Sequence, residues 1–184
     1  MIYKSITFKA DPFLYDLEFD DRITLVGGDS GTGKTVLYEM LEDIRLTDEY
    51  SSIKLFNYKS DDFLGAIRQC KDSFIVVDNA DNLMNDDVRR FINFEVSNQY
   101  MLFLRNCDGL NVSDKSFKVL KFDNNRITLE EELWYEIREE VLAAVENHRI
   151  NLSKIEDKKT LHYIAGFKRY STERVMKALV GEFT

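Results

Sequence analysis

The stretch that most narrows what this chain can fold into is LVGGDSGTGKT, residues 25 to 35. It sets four glycines and one lysine between the apolar run RITLV and the helically spaced VLYEML. Gly28-Asp29-Ser30-Gly31-Thr32-Gly33-Lys34-Thr35 matches G-x-x-x-x-G-K-[ST] without a departure. Glycines allow successive backbone N–H groups to turn inward around an anion, and a following helix N-terminus adds the positive end of its dipole. In that geometry Lys34 reaches the β- and γ-phosphates of a nucleotide, and the Thr35 hydroxyl completes a Mg²⁺ shell. The competing reading is a tight glycine turn with an incidental lysine.

At 184 residues the chain suits one domain with at most a small appendage, and it is long enough to bury a proper core. A net charge of −8 argues against a chain that coats nucleic acid or an anionic membrane with its whole surface, and leaves room for a local basic patch. The charge is uneven. Residues 150 to 184 hold seven basic and four acidic side chains, a net of +3, which leaves −11 for the rest. Cys70 and Cys107 have no CxxC spacing, and His148 and His162 have no metal-ligand pattern, so neither a disulfide scaffold nor a zinc site is expected. Without a leader-like N-terminus or a run of 18 apolar residues, the expectation is a cytoplasmic protein with no membrane association.

Along the chain, IYKSITFKA and FLYDLEFD alternate and are separated by Asp11-Pro12, as a hairpin requires. RITLV suits a buried strand, and Val36, Leu37, Met40, Leu41 and Ile44 repeat at helical spacing. IKLFNYK (strand), DDFLGAIRQC (helix), SFIVVD (strand), DDVRRFINFEVSN (helix) and YMLFLRN (strand) continue the alternation. SFKVLKFD and RITLE follow as strands about a turn at Asn124. Such alternation predicts parallel βαβ units in a three-layer α/β fold. From Leu129 onward the pattern turns helical, with a stripe of Leu129, Leu133, Ile137, Val141 and Val145 and with Ser171 as the N-cap of a last helix. The expected organisation is a nucleotide-binding domain over 1–130 with a helical extension, 131–184, packed on it through Trp134, Tyr135, Tyr163 and Phe167.

With GGDSGTGKT the sequence resembles the P-loop NTPases, and SFIVVDNAD resembles their second hallmark, the Walker B strand, in which Asp78 holds the Mg²⁺ shell. The intervening strand IKLFNYK is similar to the division shared by AAA, ABC and recombinase-like ATPases. That resemblance implies a mostly parallel sheet in the order 5-1-4-3-2, and the first hairpin looks like the antiparallel platform that precedes the loop in ABC and recombination-type heads. No LSGGQ-like signature follows, so an ABC head is not expected. The resemblance assigns a polar sensor to the tip of the next strand, where Arg105 and Asn106 stand, though either equally reads as an exposed loop entry. The helical tail resembles a reduced AAA-type lid, with Arg169 or Arg174 as a second sensor or, alternatively, as a solvated face.

One position departs from that pattern. Where the division places a glutamate that polarises the attacking water, this chain has Asn79, an amide that orients water and accepts no proton. Asp81 is the substitute base if a turn points it back, and otherwise a cap of the next helix. The function implied is an AAA-like, Mg-ATP-binding protein that hydrolyses slowly or acts as a switch. The alternatives are a small-molecule P-loop kinase and a non-hydrolysing module that its nucleotide stabilises. ATP is favoured over GTP by the lack of an NKxD-like guanine code. The partners expected are the nucleotide and a second copy or another protein supplying an arginine finger; nothing indicates nucleic acid.

Overall fold

The computed structural model describes residues 1–27, 31–104, 107 and 109–131. The chain divides into two compact units, Met1–Leu104 with Gly109–Glu131, and Arg105–Asp108 with Glu132–Thr184. Of the second, only Cys107 is among the described residues, so the helical tail expected beyond residue 131, with its aromatics, Ser171, Arg169 and Arg174, lies outside them.

In the first unit, β1 (Ser5–Ala10) and β2 (Phe13–Glu18) form the expected antiparallel hairpin, in register from Ser5↔Glu18 to Ala10↔Phe13. Its alternation points Ile6, Phe8, Tyr15 and Leu17 inward. β3 (Ile23–Val26) is buried at every position and leads to α1 (Lys34–Ile44), which buries Leu37 and Leu41. Then come β4 (Ile53–Asn57), α2 (Phe63–Gln69), β5 (Phe74–Asp78), α3 (Asp86–Phe94) and β6 (Gln99–Phe103). β7 (Phe117–Asp123) and β8 (Arg126–Glu131) close the unit as a second hairpin about Asn124, whose φ of 52° suits the turn. Helix starts follow local chemistry. Asp62 accepts from Gly65 N at 2.9 Å and Asn85 from Val88 N at 3.0 Å, and Asp86 and Asp87 complement the α3 dipole.

The eight strands hydrogen-bond in the order β1-β2-β8-β7-β3-β6-β5-β4. β3, β4, β5, β6 and β7 pair in parallel, β1 with β2 and β7 with β8 antiparallel, and β2 with β8 in parallel. This corrects the expected three-layer α/β fold with its mostly parallel sheet. The chain builds one curled, mixed, eight-stranded sheet, a half-barrel with antiparallel pairs and only three α-helices among the described residues, of 11, 7 and 9 residues.

The physical reason lies in the two hairpins. Strand and helix alternate only from β3 to β6; outside that span, period-two strands bury their inner faces against the same core. Ile6, Phe8, Tyr15 and Leu17 of the first hairpin and Leu120, Ile127 and Leu129 of the second share one cluster with Val26, Leu37, Leu41, Phe74, Val76, Met101 and Phe103. The curl lets the sheet cover apolar surface that a further layer of helices would otherwise have to cover. Pairing of Leu14–Asp16 with Arg126–Thr128 welds the hairpins together, reinforced by Leu14 N donating to Asn125 O at 2.7 Å and by the Arg126–Asp16 ion pair. The first hairpin is therefore an antiparallel edge of the main sheet. Leu129 is corrected too, from the first residue of a helical stripe to a buried residue of β8.

Candidate functional site

The glycine loop begins where β3 stops. Gly27 N donates to Lys118 O at 2.9 Å, the last link between β3 and β7. Gly31 and Gly33 have φ of 89° and 83°, left-handed values that strain any side chain. Gly33 caps α1, and its carbonyl accepts the first helical bond, from Leu37 N at 2.9 Å. Among the described residues no side chain caps this helix and no acidic residue occupies its first turn, so the N–H groups there keep their positive potential. Lys34 is the first residue of α1, and its Nζ donates to Thr32 Oγ1 at 2.8 Å. Thr35 follows, exposed on the first turn. Gly28, Asp29 and Ser30 lie outside the described residues, as do Arg105 and Asn106.

A second strand end supplies a carboxylate. β5 is buried throughout and finishes at Asp78, beside Asn57 of β4 in the register. Burial pushes the Asp78 carboxyl above its ordinary range. The backbone N–H and side-chain amide of Asn79 and the charge of Lys34 oppose that rise, and Glu39 adds to it. The charges of Lys34 and Glu39 on α1 are thus felt at the tip of β5. Asn79 adopts a φ of 50°, a left-handed conformation that asparagine tolerates well, and its Nδ2 donates to Asp78 Oδ2 at 3.0 Å. The amide is thus turned toward the neighbouring carboxylate.

Asp81 sits in a short 3₁₀ turn, Ala80–Asn82, exposed at its surface. It does not cap α3, since Asn85 fills that role. Two neighbours of this tip went unnoticed in the sequence. The Tyr38 hydroxyl is raised by burial and then by the charges of Glu42 and Asp78, while a hydrogen bond with Asn57 opposes the shift. Tyr38 stands four residues after Lys34, on the same face of α1; Asn57 had only its place at the end of an apolar run.

No family model matches the chain, and no curated protein is similar to it. Among the described residues no group of three or more His, Cys, Asp or Glu side chains gathers to cage a metal. Mg²⁺ bound by one carboxylate and a hydroxyl, with phosphate oxygens and water completing an octahedron, needs no such cage. Asp78 and Thr35 are the residues that would hold it, and the ion would neutralise charge on the phosphates. Among the described residues, no helix is long and apolar enough to cross a membrane.

Proposed function

We propose that residues 28–35 bind Mg-ATP in the manner of the P-loop NTPases, and that the protein is a slow ATPase or a nucleotide-dependent switch. What supports this reading is Lys34 at the start of a helix capped by the left-handed Gly33, together with the buried carboxylate of Asp78 at the end of β5, which feels the Lys34 charge. A cation beside an anion cradle and a carboxylate at the end of a buried strand are the two charges that a magnesium–triphosphate complex requires. A sequence with only Cys70 and Cys107, and no disulfide-framework spacing, fits a cytoplasmic setting. Calorimetric titration with Mg-ATP tests the assignment. Lys34→Ala weakens binding by about 2 to 4 kcal/mol, because it removes a charge-assisted contact in a partly desolvated site. Equal affinity in wild type and variant refutes it.

A second reading, a module whose nucleotide only stabilises the fold, is favoured by the Asn79–Asp78 hydrogen bond, because no proton acceptor stands at Asn79. Following ADP release, with and without small-molecule acceptors, separates ATPase, kinase and module. On the slow-ATPase reading, Asn79→Glu raises turnover by about 10²-fold or more without tightening ATP binding. If Asp81 is the residual base, Asp81→Asn abolishes what turnover the wild type has. Brisk wild-type hydrolysis that survives Asp81→Asn moves the base elsewhere, with Glu39 the next residue to test.

A further inference from the structure

We infer that Phe122 is a stacking platform for the base of a purine nucleotide whose phosphates lie on the glycine loop, an inference that rests on the reading above and adds to it how the site selects a nucleotide. β3 ends its pairing with β7 at Val26↔Lys118, while β7 continues to Asp123. Those five further residues project about 16 Å along the strand, so the tip of the second hairpin stands beside the loop. Alternation sets Phe122 on the same face as Leu120, which packs in the core with Leu37 and Leu41 of α1. Phe122 is the next rung beyond that core. A Cβ placed on Gly33 would stand 2.9 Å from Phe122 Cζ, and 3.7 and 3.8 Å from the two Cε atoms. The ring thus meets, with its far edge, the glycine that closes the loop.

Yet Phe122 remains 53% exposed, unusual for a phenylalanine with so close a neighbour. A hairpin needs no aromatic ring at an exposed tip. A half-exposed aromatic ring next to a phosphate cradle offers what a nucleobase requires, because its phosphates can take backbone N–H groups while its ring takes dispersion and stacking contacts. Stacking of this kind tolerates any base and favours the larger purine surface. It gives nothing to a phosphate chain without a base.

Titrations of the full chain with Mg-ATP, Mg-CTP and magnesium tripolyphosphate, followed by calorimetry, test this. Phe122→Ala weakens ATP binding about 5- to 150-fold, the range for loss of one stacked base, and leaves tripolyphosphate within about twofold. Phe122→Leu, which keeps bulk against Gly33 without a π-system, loses ATP similarly; Phe122→Trp retains it. Wild type prefers ATP to CTP, and Phe122→Ala narrows that preference. Lys34→Ala weakens ATP and tripolyphosphate together. Equal loss of both ligands in Phe122→Ala would mean that the ring only props the loop, and the inference falls. It falls also if Phe122→Ala changes neither ligand, or if Phe122→Leu binds ATP as the wild type does. A Lys34→Ala variant that binds both ligands normally overturns the phosphate assignment instead, and a wild type that binds neither overturns both.

Discussion

The sheet has two halves built on different rules. In β3, β6, β5 and β4 neighbours run parallel, β3, β5 and β6 are buried at every position, and helices lie between them in the chain. In β1, β2, β8 and β7 strands are paired through hairpins, and inward apolar residues alternate with exposed polar ones, as in the pattern of β1. A strand buried on both faces has no room for polar chemistry except where it ends. Parallel strands end on the same side, and there β3 delivers the glycine loop and β5 delivers Asp78 beside Asn57 of β4. The hairpin half, with a free outer face, instead closes the core and extends past it, which is how Phe122 comes to stand against Gly33. The parallel half thus positions charge, while the hairpin half covers and trims.

The largest test of that division asks whether the halves are energetically separate. Phe74 of β5 is fully buried and lies edge-on to Phe19 at 5.1 Å and to Tyr3 at 5.7 Å, both from the first, N-terminal segment. Phe74→Ala is expected to cost about 3 to 5 kcal/mol. Because the core is shared, denaturation followed by far-ultraviolet circular dichroism and by tyrosine fluorescence should give one coincident transition for wild type. Two separated transitions would show that the halves fold independently.

A smaller effect is expected at the seam where β7 meets β3. The Lys118 ammonium is buried and held by Asp20 at 2.6 Å and Glu131 at 3.8 Å, both partners being about half exposed. Asp20→Ala leaves that charge underpaired, at a cost of about 1 to 3 kcal/mol after allowance for solvent at the carboxylate. Adding Lys118→Met to Asp20→Ala should recover much of the loss. A denaturant midpoint for Asp20→Ala equal to that of wild type would show the seam to be held by backbone pairing alone.

The smallest effect belongs to the weld between hairpins. The hydrogen bond from Arg126 depresses the Asp16 carboxyl below its ordinary 3.8, helped by Thr7 and opposed by partial burial. A depressed carboxylate stabilises the fold at pH values above its unfolded pKa, and that contribution is lost as pH falls through the lower folded value. Stability should therefore decline below about pH 4 partly through Asp16. Arg126→Ala should flatten this part of the profile, a change read by melting at graded pH; an unchanged profile would assign the acid sensitivity to other carboxylates.

How much of this was legible beforehand depends on how local the cause is. Glycines at Gly31 and Gly33, the helix that begins at Lys34, the strand ending in Asp78 and the turn at Asn124 follow from steric preference and periodicity within a few residues, and the sequence alone determined them. The role of Asp81 was undecidable at that level, because aspartate and asparagine both cap helices, and only the course of the chain gives α3 to Asn85. The mixed sheet escaped for a deeper reason. A strand edge offers the same N–H and C=O groups to any partner, so nothing in FLYDLE or RITLEE states that β2 and β8 will pair. That choice is made by the core, which both inner faces must share if Tyr15, Leu17, Ile127 and Leu129 are to leave water together. Phe122 carries the same lesson at the site, since alternation sets its face, and only the tertiary structure brings Gly33 to that face.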